Sequence, residues 1–134
     1  MATLLDVTTG IKNRLATIAG LRVNAVEPGS VAPPAAWPFL RSATYDETFD
    51  GDMRWQFSIY IVVGAASDQN AQTNLMPYLA AAGAKSVKAA IEGDTTLGGV
   101  AHYAVVKSID SVGSYEIAGT RVIGAVLICE VATP

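Results

Sequence analysis

Met53-Arg54-Trp55-Gln56-Phe57-Ser58-Ile59-Tyr60-Ile61-Val62-Val63 is the stretch that decides the fold class. Met53, Trp55, Phe57, Ile59, Ile61 and Val63 fall on one side of an extended chain, and Arg54, Gln56, Ser58 and Tyr60 on the other. A period of two marks a strand with one buried face. Just upstream, Ala43, Tyr45 and Phe49 form a more polar counterpart, and Asp50-Gly51 is a hairpin turn signal. Residues 40–63 therefore read as a long β-hairpin.

The rest of the chain arranges itself around that hairpin. Leu4, Leu5, Ile11, Leu15 and Ile18 recur at helical spacing, so residues 3–19 read as a helix with Thr3 at its start and Gly20 as its stop. A short strand, Leu21–Val26, follows. Four prolines between Pro28 and Pro38 then oppose both helix and central strand, which predicts an extended surface arm or an ordinary loop. After the hairpin, Ser67 or Asp68 caps a helix running to about Ala82, with Leu75, Met76 and Leu79 inward and a kink at Pro77. A helical turn over Ser86–Glu92 and a loop over Gly93–Gly99 come next. Two strands close the chain, about 100–110 and 115–131, turning near Val112-Gly113-Ser114. Val122–Cys129 is apolar on both faces, so that strand is central or has its second face covered by a neighbouring subunit. The expectation is a single α+β domain over residues 1–134. It has a mostly antiparallel sheet packed by two main helices, in the order α-β-β-β-α-(α)-β-β.

Composition bounds the function. Of 134 residues, 51% are hydrophobic and 16% charged, against roughly 25% charged in an average soluble domain. Mean hydropathy is +0.34. Such a chain is not disordered, and its apolar surplus points to burial against copies of itself or a larger assembly. The net charge of −3 and the singly scattered Lys and Arg residues argue against a tight grip on nucleic acid. One cysteine excludes an intrachain disulfide and a multi-thiolate zinc site. The longest apolar runs, Ile59–Ala66 and Val122–Cys129, are 8 residues each, where a membrane-spanning helix needs about 20. The N-terminus lacks the basic region of a secretory signal, so the chain reads as soluble and made in the cytoplasm.

Few residues carry chemistry. A nucleophilic pair of Cys129 with His102 would need the two to meet. With the last turn at Gly113, His102 faces Gly124 and Cys129 lies five positions on, roughly 17 Å away at about 3.4 Å per residue. A buried cysteine and an unrelated histidine is the simpler reading. Gly93-Asp94-Thr95-Thr96-Leu97-Gly98-Gly99 has P-loop glycine spacing, but Gly99-Val100 stand where Lys and Ser/Thr would hold phosphate and magnesium. Asp46, Glu47, Asp50 and Asp52 cluster at the hairpin tip, either as a solvated turn, a partial calcium loop or an acidic lining of a channel. Trp55 belongs to the core face of its strand. Trp37, among prolines, is either core or an anchor for a partner.

Several of these stretches together resemble a known family. They are the N-terminal helix with its short strand and proline-rich arm, and the hairpin Thr44-Tyr45-Asp46-Glu47-Thr48-Phe49 … Trp55-Gln56-Phe57 ending in Val62-Val63-Gly64. Ser86-Val87-Lys88-Ala89-Ala90-Ile91-Glu92, then Thr96-Leu97-Gly98-Gly99 and a closing strand pair, complete the set. In this order they resemble the tail terminator proteins of long-tailed, non-contractile bacteriophages, with Pro77 as a departure. The resemblance implies a structural virion protein and not an enzyme, with no cofactor. It implies a homo-oligomeric, hexameric ring that caps the head-proximal end of the tail tube, stops tube polymerisation and offers a surface to the head–tail connector or stopper. DNA would pass through the lumen unbound. Val31, Pro33, Pro34, Trp37, Tyr45 and Phe49 are the candidate subunit or tube contacts, and Asp46, Glu47, Asp50 and Asp52 the candidate lumen or tip residues. A neighbouring neck component, such as a head-completion or stopper protein, is the alternative. A small enzyme or ligand-binding domain would need a concave pocket with convergent polar groups.

Overall fold

Alternating side chains in β-strands need cover on their apolar face, and here three helices supply it for one side of a single sheet. The computed structural model describes residues 4–18, 20–23, 34–45, 53–65, 70–117 and 119–133. In chain order these form α1 (Leu4–Leu15), β1 (Arg22–Val23), β2 (Ala35–Thr44), β3 (Met53–Ala65), α2 (Ala71–Leu79), α3 (Val87–Glu92), β4 (Tyr103–Ile117) and β5 (Thr120–Thr133). The sheet runs β1-β2-β3-β5-β4, antiparallel except for the β1–β2 pair. The fold is α+β, in the element order the sequence predicts.

The core forms where the helices meet the sheet. Phe57, Ile59 and Ile61 of β3, Leu127, Cys129 and Val131 of β5 and Ala104 and Val106 of β4 meet Val7, Ile11 and Leu15 of α1, Leu75 of α2 and Ile91 of α3. Burying each of the larger side chains stabilises the fold by about 1.5–3 kcal/mol. α1 sits tightly because it has no side chain at Gly10, where a Cβ would lie 2.9 Å from the Leu97 carbonyl oxygen. Arg14 then reaches over and donates from Nε to the Ala90 carbonyl at 2.9 Å, near the α3 C-terminus that favours a cation. Ser86 caps α3 at its other end. Its Oγ accepts from the Ala89 N–H at 3.1 Å and donates to the Ala80 carbonyl. Ser86→Ala is expected to cost about 1–2 kcal/mol in a urea titration, because the hydroxyl is buried and makes both bonds.

Four details differ from the sequence reading. α1 ends at Leu15 and not at residue 19, because the chain tightens there into three-residue bonds, Thr17 N–H to the Arg14 carbonyl and Ile18 N–H to the Leu15 carbonyl. Ala35–Pro38, placed in the proline-rich arm, instead begin β2 and are buried. Proline is tolerated there because, among the described residues, β1 pairs only with Ala35 and Ala36 and none pairs with β2 on its outer side at Pro38. The last hairpin turns between Ile117 and Thr120, not at Val112-Gly113-Ser114: β4 continues through Gly113, which pairs with Gly124, and Gly119 takes the positive φ of +79°. α2 stops at Leu79, short of Ala82, where Ala80 adopts extended backbone, and Met76 points to solvent while Tyr78 is buried instead. Of the two readings of Val122–Cys129, the central strand holds. β5 lies between β3 and β4, and the protomer itself covers its second face, where Trp37, Val62, Tyr60 and Tyr115 pack around Val122.

Helix α3 also reaches the outer strand. Glu92 accepts the Val106 N–H at 3.1 Å and Lys88 donates to the Val106 carbonyl at 3.2 Å, while Lys88 and Glu92 pair with each other.

Candidate functional site

The side of the sheet without helices is the surface that sequence reasoning did not foresee. Three bulges, between Leu40 and Ser42, between Val106 and Ser108 and between Ile109 and Ser111, each insert one extra residue. The inserted residues are Arg41, Lys107 and Asp110, and all three enter ion pairs. A bulge re-aims a side chain, so these charges turn toward the helix-free face. Arg41 Nη1 lies 3.6 Å from Asp110 Oδ2, a contact between β2 and β4 across the two strands that separate them. Three strand spacings of about 4.8 Å put β2 and β4 about 14 Å apart in a flat sheet, so the two side chains reach toward each other over β3 and β5.

A second cluster joins β3, β4 and β5. Lys107 Nζ lies 3.1 Å from Glu130, the Tyr103 hydroxyl donates to Glu130 at 3.2 Å, and Arg54 donates to the same hydroxyl at 2.6 Å. Partial burial disfavours the Glu130 carboxylate. Its bonds from Lys107 and Tyr103 and the charge of Arg54 outweigh that and hold it below the usual carboxylate range. Glu92 is held low in the same way, its desolvation outweighed by Lys88 and the Val106 N–H. A group with a lowered folded pKa stabilises fully above its unfolded value and loses that contribution as pH falls through the folded one. Stability in urea is therefore expected to hold above the ordinary carboxylate value of 4.5 and to decline below it. Glu92→Gln with Glu130→Gln should flatten that decline.

The residues singled out from the sequence scatter. Val31, Pro33, Asp46, Glu47, Phe49, Asp50 and Asp52 lie outside the described residues. Trp37 is not a projecting anchor: it is buried and stacks on Tyr60, with ring centroids 5.6 Å apart. Pro34 is half-buried, its carbonyl accepting the Arg22 N–H at 3.0 Å. Tyr45 alone among the aromatic candidates described projects outward, its ring edge-on to Trp55 at 5.8 Å.

His102 and Cys129 do not meet. Tyr103 pairs with Ala132 and Val106 with Cys129, which leaves about four strand positions, roughly 13 Å, between them. His102 is exposed, and burial pushes the Cys129 thiol up to about 12. Cys129 is expected to react with a thiol reagent only at the rate of unfolding, as a denaturant series of labelling kinetics will show. The Gly93–Gly99 loop is occupied by its own carboxylate. Asp94 accepts from the N–H of Thr96 and of Gly98, each at 3.1 Å, and from the Thr96 hydroxyl at 2.7 Å. The amides that would cradle a phosphate in a P-loop here hold Asp94.

Neither a protein-family model nor a curated protein matches the chain. Among the described residues, no helix is long and apolar enough to cross a membrane.

Proposed function

We propose that this chain is a ring-forming virion component of the tail-terminator type, capping the head-proximal end of a phage tail tube and presenting a surface for head–tail joining. The observation that carries the reading is where uncovered apolar side chains sit. Tyr45 lies at the end of β2, while Ile109 and Val112 lie on β4, at the opposite side of the sheet. Leu5 and Met76 add exposed apolar groups on α1 and α2. Two unlike apolar sides are what a head-to-tail contact needs, and such a contact closes into a ring when the rotation per subunit divides the circle. The element order fits the same family, and the net charge of −3 fits a conduit that passes DNA without holding its phosphates.

Light scattering over a concentration series, with negative-stain images of each species, tests this. Six protomers of 13.9 kDa give about 83 kDa with a central hole. A closed dimer or a solid particle would overturn the ring. Where the free chain stays monomeric, addition of purified tail tubes is the deciding step: ring caps at one tube end support the reading, and bare tube ends reject it. Binding to a portal in place of a tube would make the protein a stopper-type neck component. The arm is tested by deleting residues 29–32, since Ala35 and Ala36 belong to β2 and a longer deletion would damage the sheet.

A further inference from the structure

On the helix-free face, between β2 and β4, lies a hollow of about 430 Å³. That volume falls within the range of small-molecule sites, about 300–1,000 Å³. Phe39 and Tyr60 form a right-angled aromatic corner, with centroids 6.5 Å apart and planes at 90°. Tyr60 is braced from the side by Trp37, stacked nearly parallel to it at 10°. Tyr115 lines the hollow as well. Tyr60 is therefore held in place before any ligand arrives, while Phe39 is 51% exposed and open to contact.

The polar groups of the hollow have hydrogen-bonding capacity to spare. Ser58 lines it and is only 5% exposed, yet its hydroxyl makes no hydrogen bond among the described residues. The hydroxyl oxygen is not itself sealed from solvent, so it is open to a partner that enters the hollow. On the rim, Arg41 and Asp110 face each other at 3.6 Å, beyond hydrogen-bond distance, with both side chains about half exposed. Two bulges, one on each flanking strand, bring this donor and this acceptor to the same hollow.

We propose that the hollow binds a sugar ring, as a site of a single protomer that does not depend on the hexamer reading. The charges of Arg41 and Asp110 cancel, which favours a neutral ligand over a phosphate or an amine. A fixed donor beside a fixed acceptor suits vicinal hydroxyls, one accepting from Arg41 and the other donating to Asp110. A corner of one aromatic face and one aromatic edge fits the C–H face of a puckered ring better than a flat base, which stacks between parallel faces. The open Ser58 hydroxyl adds a further hydrogen-bonding group at the floor.

Saturation-transfer NMR on the full chain, with glucose, galactose, mannose and N-acetylglucosamine as separate probes, tests the site. The expected result is transfer to the ring protons of at least one sugar. Phe39→Ala and Tyr115→Ala should each weaken that binding by about tenfold. Ser58→Ala should weaken binding with no loss of melting temperature, because it breaks no existing bond. No transfer from any of the four sugars overturns the proposal, as does transfer that survives both aromatic substitutions in a protein still folded by its melting curve. Preferential binding of inorganic phosphate would likewise reject a neutral ligand.

Discussion

Gly124→Val is expected to abolish folding, and even Gly124→Ala to lower stability by about 1–3 kcal/mol or more. A Cβ at residue 124 would lie 2.2 Å from the Ile61 carbonyl oxygen and 2.9 Å from Val62 Cγ1. Neither atom is free to retreat. The carbonyl belongs to β3, whose register shifts between Val62 and Gly64, where β5 presses against it. Relief would require β3 and β5 to part in the middle of the sheet, next to Ala125 and Ile61 of the core. Gly113, directly across from Gly124 on β4, makes the control, because a Cβ there meets nothing within 4 Å. Gly113→Ala is expected to be neutral or mildly stabilising, since alanine loses less backbone freedom on folding. Urea midpoints of the two variants check the contrast, and equal midpoints would contradict the packing described.

Trp37→Ala carries the second large effect, a loss of about 3–5 kcal/mol. The indole is 1% exposed and packs with Val62 and Val122 as well as stacking on Tyr60. If Trp37 were an anchor for another subunit, its removal would leave the melting of a dilute protomer unchanged and weaken association alone. The expected outcome is the reverse, with the protomer melting early at every concentration. Tyr45→Ala is the complementary variant: its ring is 65% exposed, so the protomer should keep its melting temperature while any self-association weakens.

The strand Met53–Val63 is legible because its period of two is uninterrupted through Ile61, and Val122–Cys129 because a strand apolar on both faces needs cover on both. Ser86 marks the start of α3 by its own chemistry, whereas Gly20 takes a positive φ of +80° in the turn beyond α1, which has already ended at Leu15. The Trp37-Pro38 segment misleads because proline's cost depends on which neighbour a strand has, and that neighbour, the short β1, is a tertiary fact. Gly113 mimics a turn for a similar reason: glycine in a strand also marks close approach, and what approaches is known only from the pairing. The bulges are hidden outright. Arg41, Lys107 and Asp110 each read as an ordinary polar position, and only the register shows that they are extra. The hollow that Arg41 and Asp110 flank draws Phe39, Ser58, Tyr115 and Val126 from four strands, so no local pattern announces it. Ser58, the one small hydroxyl among larger side chains on its face of β3, is the sole hint.

The hold of Lys88 and Glu92 on the Val106 peptide group has a consequence for how many copies can join. An outer strand with free N–H and C=O groups is a template for another strand, and strand addition has no built-in stopping number. At Val106 a helix already takes both groups, and two bulges break the ladder just beyond it. On the far side of the sheet, Pro38 lies where no donor could be offered at all. At these two points the described margins resist the addition of a further strand. A contact made through side-chain surfaces, by contrast, has a shape that can fix an angle and so a finite count.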